Sequence, residues 1–190
     1  MNKLIAAVAK NNLLGAYNAR GVGYMPWPDL EEDLDHFKQV TMGNAMVMGS
    51  ETLVSLPGML PGREHRVLTR NQEEVLARLT NHSRKNSFLR GFDEGRLNFF
   101  SSLDEALDCE DPFITGGASV YRQCLERDLV DKMYLTFIDQ TFDRNLSPKQ
   151  KVLMPQIPFE RFREDADFEK ITLPQTPNTP AYTICAYKRK

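Results

Sequence analysis

The plainest signal in the chain is a set of short apolar runs set apart by glycines, prolines and polar stretches. Leu4-Ile5-Ala6-Ala7-Val8-Ala9 is uninterrupted, the pattern of a strand buried on both faces of a largely parallel sheet. Ala45-Met46-Val47-Met48 repeats it, and Arg66-Val67-Leu68-Thr69, Leu97-Asn98-Phe99-Phe100, Phe113-Ile114-Thr115 and Met133 to Ile138 predict further strands. Phe168 to Ile171 and Ala181 to Tyr187 read as a C-terminal antiparallel pair around the proline-rich turn Pro174 to Pro180. Helices are predicted from Leu30 to about Val40, after Gly49, after Ser102 (a cap with Glu105 three residues on) and after Gly116-Gly117. Asn11 to Tyr24 shows little periodicity and reads as a lid-like loop. Asn81 to Arg96 reads as a mobile surface excursion, and Asp139 to Gln150 as a loop. Strands alternating with helices predict an α/β fold in a single domain over 1–190. Its central sheet is mostly parallel, with a C-terminal antiparallel strand pair and helices on both faces.

Met25 to Lys38, MPWPDLEEDLDHFK, carries the first candidate chemistry. Pro28 disfavours helix at Trp27 and suits a start just beyond, with Asp29 as the expected N-cap and Glu32 in the capping-box position. Leu30, Leu34 and Phe37 form the apolar stripe. At about 100° per residue Glu31, Glu32 and Asp35 point to water, whereas Asp33 lies roughly 60° from the stripe's centre. A carboxylate turned toward a core needs a partner. A salt bridge and a site acid with a tuned pKa both fit. Two readings also stay open for Arg63, in the turn Leu56 to Arg63: a solvated loop cation or a carboxylate clamp. Gly116-Gly117 is either a plain tight turn or a place where a ligand comes close to bare backbone.

Composition narrows the field without naming a function. In 190 residues, 41% are hydrophobic and 26% charged, as in soluble globular domains. A net charge of −2 with signs interspersed favours neither nucleic acid nor a membrane surface as partner. The N-terminal apolar run is too short for a signal peptide or a membrane span. Cys109, Cys124 and Cys185 are odd in number and widely spaced, which predicts free thiols in a reducing, cytoplasmic setting. His36, His65 and His82 have no metal-ligand spacing.

Taken together, LIAAVA, MPW with an acid six residues after the tryptophan, DLDHFK, MVMGSETLVSLP, LPGR, ITGGASVY and YLTFID resemble the dihydrofolate reductases in order and spacing over almost the whole chain. The resemblance implies NADPH-dependent reduction of dihydrofolate by a monomer that also binds antifolate-like small molecules. It implies that Asp33 holds the pterin's amidine-like edge and assists protonation at N5 through a water, that Thr136 braces Asp33, and that Trp27 and Met25 belong to the lid. Ile5, Ala7, Leu34, Phe37 and Thr115 would line the pterin pocket, and Leu56 and Leu60 would pack on the benzoyl group. Arg63 would clamp the α-carboxylate of the tail, with Lys38 outside it. On the cofactor side it implies the Gly49-Ser50-Glu51-Thr52 turn, Leu68, Thr69-Arg70 at the 2′-phosphate, and Gly116-Gly117 joined by a cis peptide. Ala118 would begin a helix toward the pyrophosphate, and Ser119, Val120, Tyr121, Ala7 and Leu14 complete that side.

Some positions depart from the family pattern. Ser50 and Glu51 stand where basic residues usually face the cofactor phosphates, and an acid there repels a 2′-phosphate, leaving Arg70 as the main cation. Thr115 and Ser119 replace other side chains, Arg20 to Gly23 lengthens the lid, and Lys151 to Met154 stands where an acid and a threonine are expected. The competing readings are a reductase of the same fold with another pterin or pyrimidine substrate, such as that of riboflavin synthesis, and a non-catalytic pterin- or nucleotide-binding module.

Overall fold

The computed structural model describes residues 1–190. Its strands are β1 (Lys3–Ala9), β2 (Leu13–Tyr17), β3 (Gly23–Tyr24), β4 (Ala45–Gly49), β5 (Glu64–Leu68), β6 (Leu97–Phe100), β7 (Phe113–Gly116), β8 (Lys132–Ile138), β9 (Lys151–Leu153), β10 (Phe162–Glu164), β11 (Ile171–Leu173) and β12 (Tyr182–Arg189). The helices are α1 (Glu31–Thr41), α2 (Ser50–Ser55), α3 (Gln72–Thr80), α4 (Lys85–Asp93), α5 (Leu103–Leu107) and α6 (Ala118–Glu126). The sheet runs β10-β12-β8-β1-β7-β4-β5-β6. From β8 to β6 every pairing is parallel, while β12 is antiparallel to β8 and carries β10 and β11 antiparallel to itself.

Side chains on β4 alternate between two cores, as successive strand residues must. Val47 packs in a cluster with Leu103 and Ala106 of α5 and Val120 and Tyr121 of α6. Met46 and Met48 join Leu53, Val75, Leu79 and Phe88 from α2, α3 and α4. The expected helices on both faces are therefore present, and the continuous apolar run follows from burial on both sides.

Four expectations need correction. Asn81 to Arg96 is not a mobile excursion. It holds α4, whose Phe88 is fully buried and whose Gly91 lies against Met59. The segment just before it forms α3, capped by Asn71, whose side chain accepts from the Glu74 amide at 3.1 Å. Asn11 to Tyr24 is largely a hairpin: β2 pairs with β3 and with β9, and its turn is closed by the Asn18 side chain, which accepts from the amides of Arg20 and Val22. Asp29 does not cap α1. Leu30 takes the N-cap place with no side-chain bond, because its side chain is drawn into a cluster with Trp27 and Ile138 and the helix starts one residue later. The C-terminal pair is β11 with β12, a little later than Phe168 to Ile171, and β10 adds a strand the apolar pattern had not indicated.

Candidate functional site

Helix α1 is turned about its axis relative to its apolar stripe. Leu34 is 42% exposed, whereas His36 and Thr41 are buried and Phe37 is half-buried. The buried face is thus displaced by roughly 60° from the stripe, which puts Asp33 near its middle. Aromatic packing helps to set this rotation: the His36 ring lies 5.5 Å from both Tyr134 and Phe168. Asp33 meets β8 there, and Thr136 donates its hydroxyl to Oδ1 at 2.5 Å. Burial pushes the Asp33 carboxyl above the usual carboxylate range, and the Thr136 hydrogen bond pulls part of the way back. On the sheet Thr136 is paired with Ala7 and Tyr134 with Ile5. Glu32 is exposed, as expected, but makes no capping box; it accepts from the hydroxyl of Tyr182, a neighbour that helix geometry alone did not reveal.

Arg63 is buried to 6% exposure and has no carboxylate partner. Its Nε donates to the Pro61 carbonyl at 3.1 Å and Nη1 to the Thr41 hydroxyl at 3.2 Å, with the guanidinium 5.9 Å from the Phe37 ring centroid. The reading of a solvated loop cation is therefore set aside, and burial lowers its affinity for its own proton. A guanidinium shielded from water with neutral acceptors alone retains donors for an incoming anion. Leu56 and Leu60 are half-buried against the core cluster beneath α2, and Lys38 is exposed. Met25 is 53% exposed. Trp27 is buried, edge-on to Phe142 at 6.0 Å between centroids.

A second group forms along the carboxyl ends of β5, β4 and β7, the place where open parallel sheets receive ligands. Gly49 is opposite Leu68, and Gly116 is opposite Met48 after a register shift. The Gly116-Gly117 peptide is cis, and Gly116 has φ +125°, a conformation that excludes most side chains. A Cβ at Gly116 would stand 3.2 Å from the Thr52 hydroxyl and 3.4 Å from the Tyr121 hydroxyl. Gly49 is the N-cap of α2 and Gly117 that of α6, so Ala118 and Ser119 open the latter helix. Thr69 turns its hydroxyl onto its own loop, accepting from the Asn71 amide, and Thr115 donates to the Val47 carbonyl at 3.3 Å. Arg70 is exposed and unpaired by any acid. Leu14 and Leu68 pack at the border of the α6-side core. Tyr121 is buried and donates to the Ile5 carbonyl at 2.6 Å, so it supports the turn from below and does not line an open face. Glu51 is not a free acid: Arg78 of α3 grips it with two hydrogen bonds. Arg78 gave no sequence signal, since the partners are 27 residues apart on different helices.

The three cysteines are free, and no three His, Cys, Asp or Glu side chains stand together as metal ligands. No helix is long and apolar enough to cross a membrane.

A parallel α/β sheet with a bare backbone turn at its strand ends, beside a shielded carboxylate, is the geometry of an enzyme that sets a nucleotide next to a polar substrate. The chain belongs to the dihydrofolate reductase family: the family model for dihydrofolate reductase matches residues 1–189. It is 38% identical over 140 residues to the type 3 dihydrofolate reductase of Salmonella typhimurium, covering 72% of this chain and 70% of that one. Identity to the dihydrofolate reductase of Haemophilus influenzae is 31% over 164 residues, 86% and 84% of the two chains. The fold matches that of the Enterococcus faecalis dihydrofolate reductase complexed with NADP(H) and RAB-propyl, with a TM-score of 0.71 over 100% of this chain and 96% of that one at 22% identity. Membership makes this chain an NADPH-dependent oxidoreductase.

Proposed function

We propose that the protein reduces 7,8-dihydrofolate to 5,6,7,8-tetrahydrofolate at the Asp33 cleft, and that residues 1–190 do so as one monomeric unit in the cytoplasm, supplying one-carbon metabolism. The observation that carries the reading is the Asp33–Thr136 pair, a carboxylate held away from water by α1 and oriented from β8. Such a carboxylate accepts two N–H donors from one planar amidine edge in a charge-assisted bidentate pair. Planar antifolate-like molecules with the same edge are expected to compete for it. Ile5, Ala7, Leu34, Phe37 and Thr115 would flank the ring, with Met25 and Trp27 toward the lid. Leu56 and Leu60 would take the benzoyl group, and the buried Arg63 the α-carboxylate, with Lys38 outside.

The residues present also fit a dinucleotide. Gly116 and Gly117 keep backbone bare where a Cβ would crowd Thr52, a Cβ at Gly49 would lie against Val120, and Arg70 is a cation without an acid. Gly49 to Thr52, Leu68 to Arg70 and Gly116 to Val120 would hold NADPH there, together with Ala7 and Leu14. When bound, NADPH supplies the hydride for C6 of the pterin. Asp33 fixes the ring's orientation and biases the water that delivers a proton to N5, its raised pKa bringing it nearer the working pH. The hairpin of β2 and β3 shields the reacting face from bulk water.

Replacement Asp33→Asn keeps the shape and removes the charge. Turnover of dihydrofolate should fall by about 10² to 10⁴-fold, the usual scale for a positioned acid or base, while NADPH binding measured by titration stays near wild type. Turnover within about tenfold of wild type would sink the assignment, because a positioned acid is worth more than that.

A further inference from the structure

Glu51 is the residue least suited to a phosphate-bearing cofactor, and its surroundings decide what it does. Gly49 and Leu68 are register partners on β4 and β5, so Glu51 and Arg70 each lie two residues beyond the same row. An anion drawn to Arg70 thus enters the same end of the sheet as the Glu51 carboxylate. That carboxylate is occupied. Nη1 and Nη2 of Arg78 donate to Oε1 and Oε2 of Glu51 at 2.5 and 2.9 Å, the fork-on-fork geometry available to arginine and not to lysine. The guanidinium cannot drift far, because Val75 and Leu79 fix α3 in the same core cluster as Leu53 of α2. Tyr17, on the lid hairpin, stands close enough to feel both charges.

We infer that Arg78 is a positioning residue for cofactor selection: by holding Glu51 it neutralises the approach to Arg70, so that a nucleotide with a 2′-phosphate is accepted. Without Arg78, Glu51 would repel that phosphate and weaken binding of the nucleotide that carries only the pyrophosphate far less. The inference rests on the NADPH reading above and goes beyond it by naming what makes Glu51 tolerable.

The test is binding, read by quenching of Trp27 fluorescence when the intact chain is titrated with NADPH and, separately, with NADH at low ionic strength, where screening is weakest. Arg78→Met should raise the NADPH Kd about tenfold and the NADH Kd less than about twofold, since the 2′-phosphate that only NADPH carries senses the freed charge most strongly. The double variant Glu51→Gln/Arg78→Met should return the NADPH Kd to within about threefold of wild type. If Arg78→Met does not fold, Arg78→Gln, neutral and of similar helix propensity, decides the matter by the same NADPH-selective loss. Equal loss of both nucleotides in Arg78→Met, an unchanged NADPH Kd, or failed rescue would each overturn the inference. A wild-type chain that binds neither nucleotide would instead remove the reductase reading, and this inference with it.

Discussion

His65 offers a test of the loop that carries Leu60 and Arg63. It lies on β5 with no exposure, and its Nε2 accepts the Leu60 amide at 3.2 Å, which places the ring proton on Nδ1. Burial pulls its pKa from 6.5 down to about 4; the Arg63 backbone opposes this, and the cations of Arg63 and Arg96 add to it. The folded state therefore binds the proton less readily than the unfolded chain. Stability from this residue is complete above about pH 6.5 and drains away as pH falls toward about 4. At 1.36 kcal/mol per unit, the shift is worth about 3 kcal/mol, of which about 2 kcal/mol is lost by roughly pH 5. Glutamine is neutral throughout and can still accept the Leu60 amide, so His65→Gln serves as the reference. Urea unfolding of both proteins from about pH 7.5 to about pH 5 should show the wild type losing about 2 kcal/mol more than the variant. The carboxylates and His36 titrate in both proteins and cancel in the difference. A difference that stays constant with pH would mean that His65 takes up its proton equally well folded and unfolded.

Thr136→Val deletes the hydroxyl that stabilises ionised Asp33, so the carboxyl should move further up. The acid limb of kcat/KM against pH is then expected at higher pH than in wild type; a limb that stays in place would disconnect Thr136 from the acid. Arg63→Met should raise the KM for dihydrofolate by about ten- to a hundredfold, the worth of a charge-assisted hydrogen bond or two, with kcat and NADPH affinity unchanged. Steady-state kinetics at saturating NADPH reads this, and a matching fall in kcat would place Arg63 nearer the chemistry than its contacts indicate.

The sheet was legible because burial on both faces of β1 and β4 leaves continuous apolar runs with no competing period. Asp33 was legible too, although the apolar stripe puts it at the edge of the buried face and the structure puts it near the middle. Leu34 misled that estimate: it is apolar and on the helical period, yet it is exposed. Helix α4 escaped notice because nine residues bring only Phe88 and Gly91 fully inside, and neither a capping side chain nor an acidic first turn announces it. The hairpin was missed for a different reason. β2 is held by β9, more than a hundred residues later, and local periodicity carries no trace of so distant a partner. The same holds for Arg78, whose helix presents it as one more surface cation.

Behind the segment that carries Leu60 and Arg63, two successive backbone amides are held by side chains from different parts of the chain. The Met59 amide donates to the Ser87 hydroxyl on α4 at 3.1 Å, and the next amide donates to His65. The polar stretch around Ser87 thus acts as a splint for a surface it does not reach. Changes scattered through α4 should register as altered substrate affinity with the chemical step intact, so selection on the substrate would leave its imprint in a helix remote from it.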